Sequence, residues 1–153
     1  MNIGIPDADR EAIAEVLSQV LADTYALYMK THGYHWNVEG PQFSAYHTMF
    51  ETQYRELWTA LDEIAERIRS LGVYAPAAQA IYARTDIKPD NGVPNADQMI
   101  ANLVADTETV VRAARTALQL AADKGDDATA DLMTQRVAIG EKNAWMLRSH
   151  IAG

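Results

Sequence analysis

Residues 72–95 read GVYAPAAQAIYARTDIKPDNGVPN, a stretch in which Pro76, Pro89, Gly92 and Pro94 interrupt a pattern that is helical on both sides. Proline inside a helix removes a donor and clashes with the preceding turn. The stretch therefore has room for one short helix, around Ala77–Arg84, and otherwise reads as a connection. Before it, apolar residues recur every three or four positions in two long segments. The first begins near Asp7, carries Ile13, Val16, Leu17, Val20, Leu21, Leu27 and Tyr28 on one face, and ends in the region of Gly33. The second begins after Gly40-Pro41 and runs to Leu71-Gly72, where glycine supplies the stop. Two more segments follow. Asn95 with Gln98 three residues on reads as a capping box opening a helix that turns Met99, Leu103, Val110, Ala114, Leu118 and Ala121 inward and ends at Lys124-Gly125. The last follows Asp126-Asp127, whose charge suits a helix N-terminus, and packs Leu132, Met133, Val137, Ile139, Ala144 and Leu147.

Four long helices with one long connection in the middle predict an all-α fold, a ferritin-like four-helix bundle with a short extra helix in the crossover between helices 2 and 3. A simple up-and-down bundle needs only a short loop there. No repeat, low-complexity tract or linker divides residues 1–153, so one domain is expected.

The chain has no cysteine, which excludes disulfides, thiolate zinc sites, iron–sulfur clusters and cysteine nucleophiles and leaves any metal to His, Asp and Glu. Its formal net charge of −8 opposes general attraction to DNA or anionic lipid and suits cations, although modest acidity also serves solubility alone. No apolar run approaches the roughly 20 residues that span a bilayer. Met1–Asp7 has neither a basic nor an apolar signal region, so a cytoplasmic location is expected. Neither a Gly-rich phosphate loop nor a Ser/His/Asp motif appears.

Chemistry is concentrated on the second helix. At 100° per residue from His47, Glu51 falls at about 40°, Asp62 at about 60° and Glu66 at about 100°, whereas Phe43, Phe50, Leu57, Leu61, Ile64, Ile68 and Leu71 form a separate stripe that packs into the bundle. Carboxylates on one helix face are commonly just solvated, and Glu66 with Arg69 forms an ordinary surface pair on that reading. The histidines tilt the balance. His35, in the segment Gly33-Tyr34-His35-Trp36-Asn37, lies about as far before the Gly40-Pro41 turn as His47 lies after it, so antiparallel helices bring the two imidazoles to one height. Yet His47 and Asp62 are separated by about 22 Å of helix, too far to share an ion. Two copies paired antiparallel about a twofold axis would instead bring His35 and His47 of one chain to Asp62 and Glu66 of the other, twice over.

The motif His35-Trp36-Asn37-Val38, then His47, then Leu61-Asp62-Glu63-Ile64-Ala65-Glu66-Arg67, resembles the ferroxidase signature of the Dps mini-ferritins, DNA-binding proteins from starved cells. Chain length, the crossover and the ending Asp126-Asp127…Trp145-Met146-Leu147 extend the likeness to nearly all of the chain. The resemblance implies that His35, His47, Glu51, Asp62 and Glu66 hold an intersubunit iron centre, with His35, His47, Asp62 and Glu66 catalytic. Glu51 differs from the Asp that many members carry. The resemblance further implies that Fe(II) is oxidised, preferably by hydrogen peroxide, and stored as ferric mineral in a hollow shell of twelve subunits built from twofold dimers, protecting against oxidative damage. The ligand chemistry agrees, because carboxylates hold both oxidation states of iron whereas a histidine-rich site favours zinc or copper.

Asp127 and Asp131, at i and i+4 early in the last helix with Asp123 before the turn, are the candidates for an acidic iron entrance under threefold repetition, against a plain capping role that suits Asp126 best. Trp36 is read as a packing residue ahead of an oxidisable ring that quenches radicals. His32 and His150 are read as structural or surface groups. The alternative function is a DNA-compacting structural protein of the same family. Direct DNA binding is disfavoured because the first ten residues hold only Arg10 against Asp7 and Asp9, with no basic tail. A bundle without metal chemistry, serving only as a scaffold, is disfavoured by the intact ligand set.

Overall fold

The computed structural model describes residues 1–77 and 79–152. Among them the regular structure is entirely helical: α1 (Asp7–Asn37), α2 (Phe43–Ser70), α3 (Gln79–Arg84), α4 (Ala96–Asp123) and α5 (Asp127–Ser149). None of these helices is long and apolar enough to cross a membrane.

Contacts between side chains fix the topology. Tyr34 meets Asn102 and Lys30 meets Asp106, so α4 runs antiparallel to α1. His35 meets His47 and Tyr28 meets Tyr54, so α2 does the same. Helices α2 and α4 are therefore parallel, as the crossover demands. Helix α5 closes the bundle: Arg67 reaches Asp126, Arg136 pairs with Glu56, and Arg148 pairs with Glu108. The core has two parts. Ile13, Leu17, Ile64, Ile68, Ala117 and Met133 fill one end, and Leu27, Phe50, Leu57, Met99, Leu103 and Leu147 fill the other.

Two turns rest on glycine. Gly72 has φ +87° and ends α2, with the Val73 amide donating back to the Ile68 carbonyl; Gly125 has φ +72° and lets the Asp126 amide reach the Ala121 carbonyl at 2.8 Å. Asp126 then caps α5. Its carboxylate accepts from the Thr129 amide at 3.0 Å, the Thr129 hydroxyl at 2.5 Å and Arg67 at 2.8 Å. Burial opposes its ionisation, but those hydrogen bonds and the guanidinium hold its pKa below the usual carboxylate value.

Several expectations are corrected. Helix α1 does not end near Gly33 but continues to Asn37. Glycine costs a helix about 1 kcal/mol, and contacts made just beyond it by Tyr34 and His35 oppose that cost. The short helix starts at Gln79 rather than Ala77, and Ala78 lies outside the described residues. The capping box is half formed: Asn95 accepts from the Gln98 amide at 2.9 Å, but the Gln98 side chain turns to Asn102. Val16, Tyr28, Leu118 and Leu132 pack against the core as expected, at its half-buried margin, whereas the half-buried Ile139 belongs to neither core cluster. Phe43 leaves the packed stripe altogether, lying exposed at the start of α2 against the His47 ring.

The crossover is clamped to α1 by a buried carboxylate that the sequence pattern does not reveal. Asp23 accepts from the Thr85 hydroxyl and the Asp86 amide, each at 2.8 Å, while Gln19 bridges Asp23 and the Arg84 carbonyl. Further along, Lys30 donates to the Lys88 carbonyl at 2.8 Å and Tyr34 donates to Asp90. This clamp holds the segment beside the metal-competent face.

Candidate metal centre

His35 closes α1 and His47 opens α2, so the short turn between them sets the two imidazoles face to face. Their ring centroids lie 3.7 Å apart with planes inclined by 18°. Nδ1 of His35 lies 2.8 Å from the His47 carbonyl oxygen, and Nδ1 of His47 lies 2.7 Å from the His35 carbonyl oxygen. A carbonyl only accepts, so each Nδ1 carries a proton and donates. In the neutral imidazole this tautomer leaves the lone pair, and so the metal-binding position, on Nε2. This is the arrangement by which outer hydrogen bonds fix the tautomer and raise the basicity of metal-binding imidazoles.

Glu51 follows one turn after His47 and is partly exposed. Its Oε1 accepts from Arg55 Nε at 2.9 Å and Nη2 at 2.8 Å. The hydrogen bond from Arg55 holds its pKa below the ordinary glutamate value. Asp62 and Glu66 are exposed on α2 with no ion-pair partner among the described residues. The Glu66–Arg69 surface pair does not form: Arg69 donates to the Val73 carbonyl at 3.0 Å and lies over the Tyr74 ring.

The structure thus brings His35 and His47 together, sets Glu51 beside them, and leaves Asp62 and Glu66 farther along the same helix. Among the described residues of a single chain, no group of three His, Asp or Glu side chains is placed to hold an ion. Asp127 and Asp131 are exposed in the first turns of α5, with Asp131 accepting from Gln135, while Asp123 at the end of α4 accepts from Gln119.

Aromatic side chains wall this face. Tyr54 stacks on His32 at 4.1 Å and meets His35 edge-on at 5.2 Å; Trp36 lies 4.2 Å from His32, and Tyr28 contacts both Tyr54 and Trp58. His32 is accordingly part of the wall, and desolvation with the neighbouring His35 and Arg55 lowers its pKa. His150 packs edge-on against Tyr46, which is buried in the core near the start of α2. Tyr54 and Trp58 were legible as neighbours of the ligands. On the same count from His47 they fall at about −20° and 20°, inside the ligand stripe.

Comparison with known proteins gives a consistent result. A ferritin-like domain matches residues 14–153. The chain is similar to an uncharacterized low temperature-induced protein of Nostoc sp., 41% identical across 100% of this chain and 87% of that protein. It is similar to DNA protection during starvation protein 2 of Bacillus anthracis, 34% identical over 91% of this chain and 96% of that one. Among solved structures, the Dps protein of Vibrio cholerae, described as a member of a broad superfamily of ferritin-like diiron-carboxylate proteins, superposes with a TM-score of 0.94 at 30% identity, covering 99% of this chain and 96% of the other.

Proposed function

The chain belongs to the Dps branch of the ferritin-like proteins, and from that membership, which supports iron storage and protection in general, we propose that it is a ferroxidase whose centres form between paired chains. The observation that carries this reading is the reciprocal His35–His47 pair, whose Nδ1 atoms are both engaged by backbone carbonyls so that Nε2 is the atom each ring has for a metal, on a face where the described residues of one chain supply too few ligands to finish a site. In an antiparallel twofold dimer, Asp62 and Glu66 of the partner supply the missing carboxylates, with Glu51 adjoining. Six such dimers make the twelve-subunit shell.

Iron enters as substrate. Two neutral imidazoles and two carboxylates hold Fe(II) without saturating it, leaving positions for an oxidant, and the carboxylates continue to stabilise Fe(III). Two Fe(II) each lose one electron to one hydrogen peroxide, whose O–O bond breaks and which, with two protons, leaves as two waters. Taking both electrons together avoids hydroxyl radical. Asp127 and Asp131, repeated about a threefold axis, concentrate Fe(II) at an entrance to the cavity where ferric mineral collects.

Stopped-flow oxidation of Fe(II) by hydrogen peroxide tests the reading. Asp62→Ala and His35→Ala should each abolish the fast phase while the circular dichroism stays helical. A fast phase of wild-type rate in both variants would remove these residues from the mechanism.

A further inference from the structure

Between the imidazole and carboxylate ends of the ligand stripe, the same face of α2 carries aromatic rings. Counted from His47, Tyr54 falls at about −20°, Trp58 at about 20° and Asp62 at about 60°, so the two rings occupy the roughly 22 Å that separates the ligand sets. Tyr28 on α1 touches both. The rings make an unbroken series, with centroids 5.2 Å apart from His35 to Tyr54, 6.2 Å from Tyr54 to Tyr28 and 5.4 Å from Tyr28 to Trp58. Trp58 in turn lines an open groove together with Asp62. Tyr28 has one more partner, since its hydroxyl lies 3.3 Å from Nδ1 of His32.

We propose that Tyr54, Tyr28 and Trp58 form an electron path within each chain, joining the two iron centres to which that chain contributes. The proposal rests on the reading above, in which His35 and His47 belong to one centre and Asp62 and Glu66 to another. Packing alone accounts for rings that meet. It does not account for a series that starts on the ligand His35, ends beside the ligand Asp62, and has at its middle a phenol set against an imidazole nitrogen.

The path supplies a missing electron. Hydrogen peroxide accepts two, whereas a centre holding a single Fe(II) gives one. Peroxide at the His35 end takes one electron from the Fe(II) there and the second, through Tyr54, Tyr28 and Trp58, from the Fe(II) at the Asp62 end. The O–O bond breaks, two protons are taken up, and two waters and two Fe(III) result. In transit Tyr28 loses an electron and passes its hydroxyl proton to Nδ1 of His32; the arriving electron draws that proton back. Tyr54 bridges His35 and Tyr28. Trp58, whose indole loses an electron while keeping its proton, meets the far centre. Where that centre is empty, the second electron comes from the path itself and Tyr28 is left as a radical.

Two measurements test the path, the first without iron. The chain has no cysteine, so Thr59→Cys, exposed beside Trp58, carries a ruthenium photo-oxidant at one position. A laser flash with an external quencher should raise the absorbance of a tyrosyl radical, lost in Tyr28→Phe and kept in Tyr25→Phe. With iron, the wild-type protein should oxidise two Fe(II) per peroxide and release no hydroxyl radical to a spin trap. Tyr28→Phe and Trp58→Phe should fall toward one Fe(II) per peroxide and release the radical, with helicity unchanged. At Fe(II) well below one ion per pair of chains, freeze-quenched wild type should show a tyrosyl signal by electron paramagnetic resonance that Tyr28→Phe lacks. A flash-induced tyrosyl signal that survives Tyr28→Phe, or two Fe(II) per peroxide with no trapped radical in both variants, overturns the path. Failure of the ferroxidase reading shows separately, as a wild-type protein that yields the flash-induced Tyr28 radical but does not oxidise Fe(II).

Discussion

His35 and His47 each donate Nδ1–H to the other's backbone carbonyl, at 2.8 and 2.7 Å, across the turn that joins α1 to α2. Neither imidazole is positioned by a carboxylate. Each is held by the other's main chain, so the pair behaves as a unit: removing one ring removes a ligand and also the donor that orients its neighbour's backbone.

This unit leads to a non-additive prediction. His47→Ala and His35→Ala should each slow Fe(II) oxidation by at least roughly 10–100-fold, and the double variant should be little worse than either single one. Stopped-flow rates decide it; losses that multiply would show that the imidazoles act independently.

Asp126 links stability to pH. Its folded pKa lies below its unfolded value, so its contribution is present above the unfolded pKa and disappears as pH falls through the folded one. Asp126→Asn should therefore be less stable than wild type at pH 7, by about 1–2 kcal/mol for the lost charged cap, and the gap should close as the pH falls through the lowered folded pKa. Urea melts at pH 7 and through a descending acid series measure the gap. A gap that widens in acid contradicts the sign.

The Asp23 clamp predicts a local effect. Asp23→Ala leaves the Thr85 hydroxyl and the Asp86 amide without their acceptor and should cost about 1–3 kcal/mol. Hydrogen exchange at residues 85–87 should accelerate before that in α4 and α5. Uniform acceleration across the bundle would mean that the crossover is not an independently opening unit.

Gly140 lets α5 approach α4. A Cβ there would come within 2.5 Å of Val111 Cγ2. Valine is stiff at χ1, so Gly140→Ala should destabilise by about 1 kcal/mol after the roughly 1 kcal/mol that alanine gains in helix propensity. Adding Val111→Ala should restore part of the loss. Thermal melts of the single and double variants test the contact.

Much of this was readable in one dimension. The positions of Pro76, Pro89, Gly92 and Pro94 located the crossover because backbone stereochemistry acts locally, and the angular stripe of His47, Glu51, Asp62 and Glu66 follows from the helical repeat. Gly33 misled because its conformation is settled by contacts beyond it: Tyr34 with Asp90 and Asn102, and His35 with His47. Phe43 misled because periodicity assigns a face without saying whether that face is covered at a helix end.

The division has a physical basis. By itself the sequence determined the helices, the parallel pairing that the crossover imposes, and the donor chemistry open to a cysteine-free chain, since each depends on residues near one another or on composition. Only the tertiary structure decided the backbone partners of the two imidazoles, the anchoring of the crossover on Asp23, and the role of Asp126 as a buried cap. Those outcomes turn on atoms within about 3 Å of each other from segments as much as 63 residues apart in the chain, and no local pattern records such a meeting.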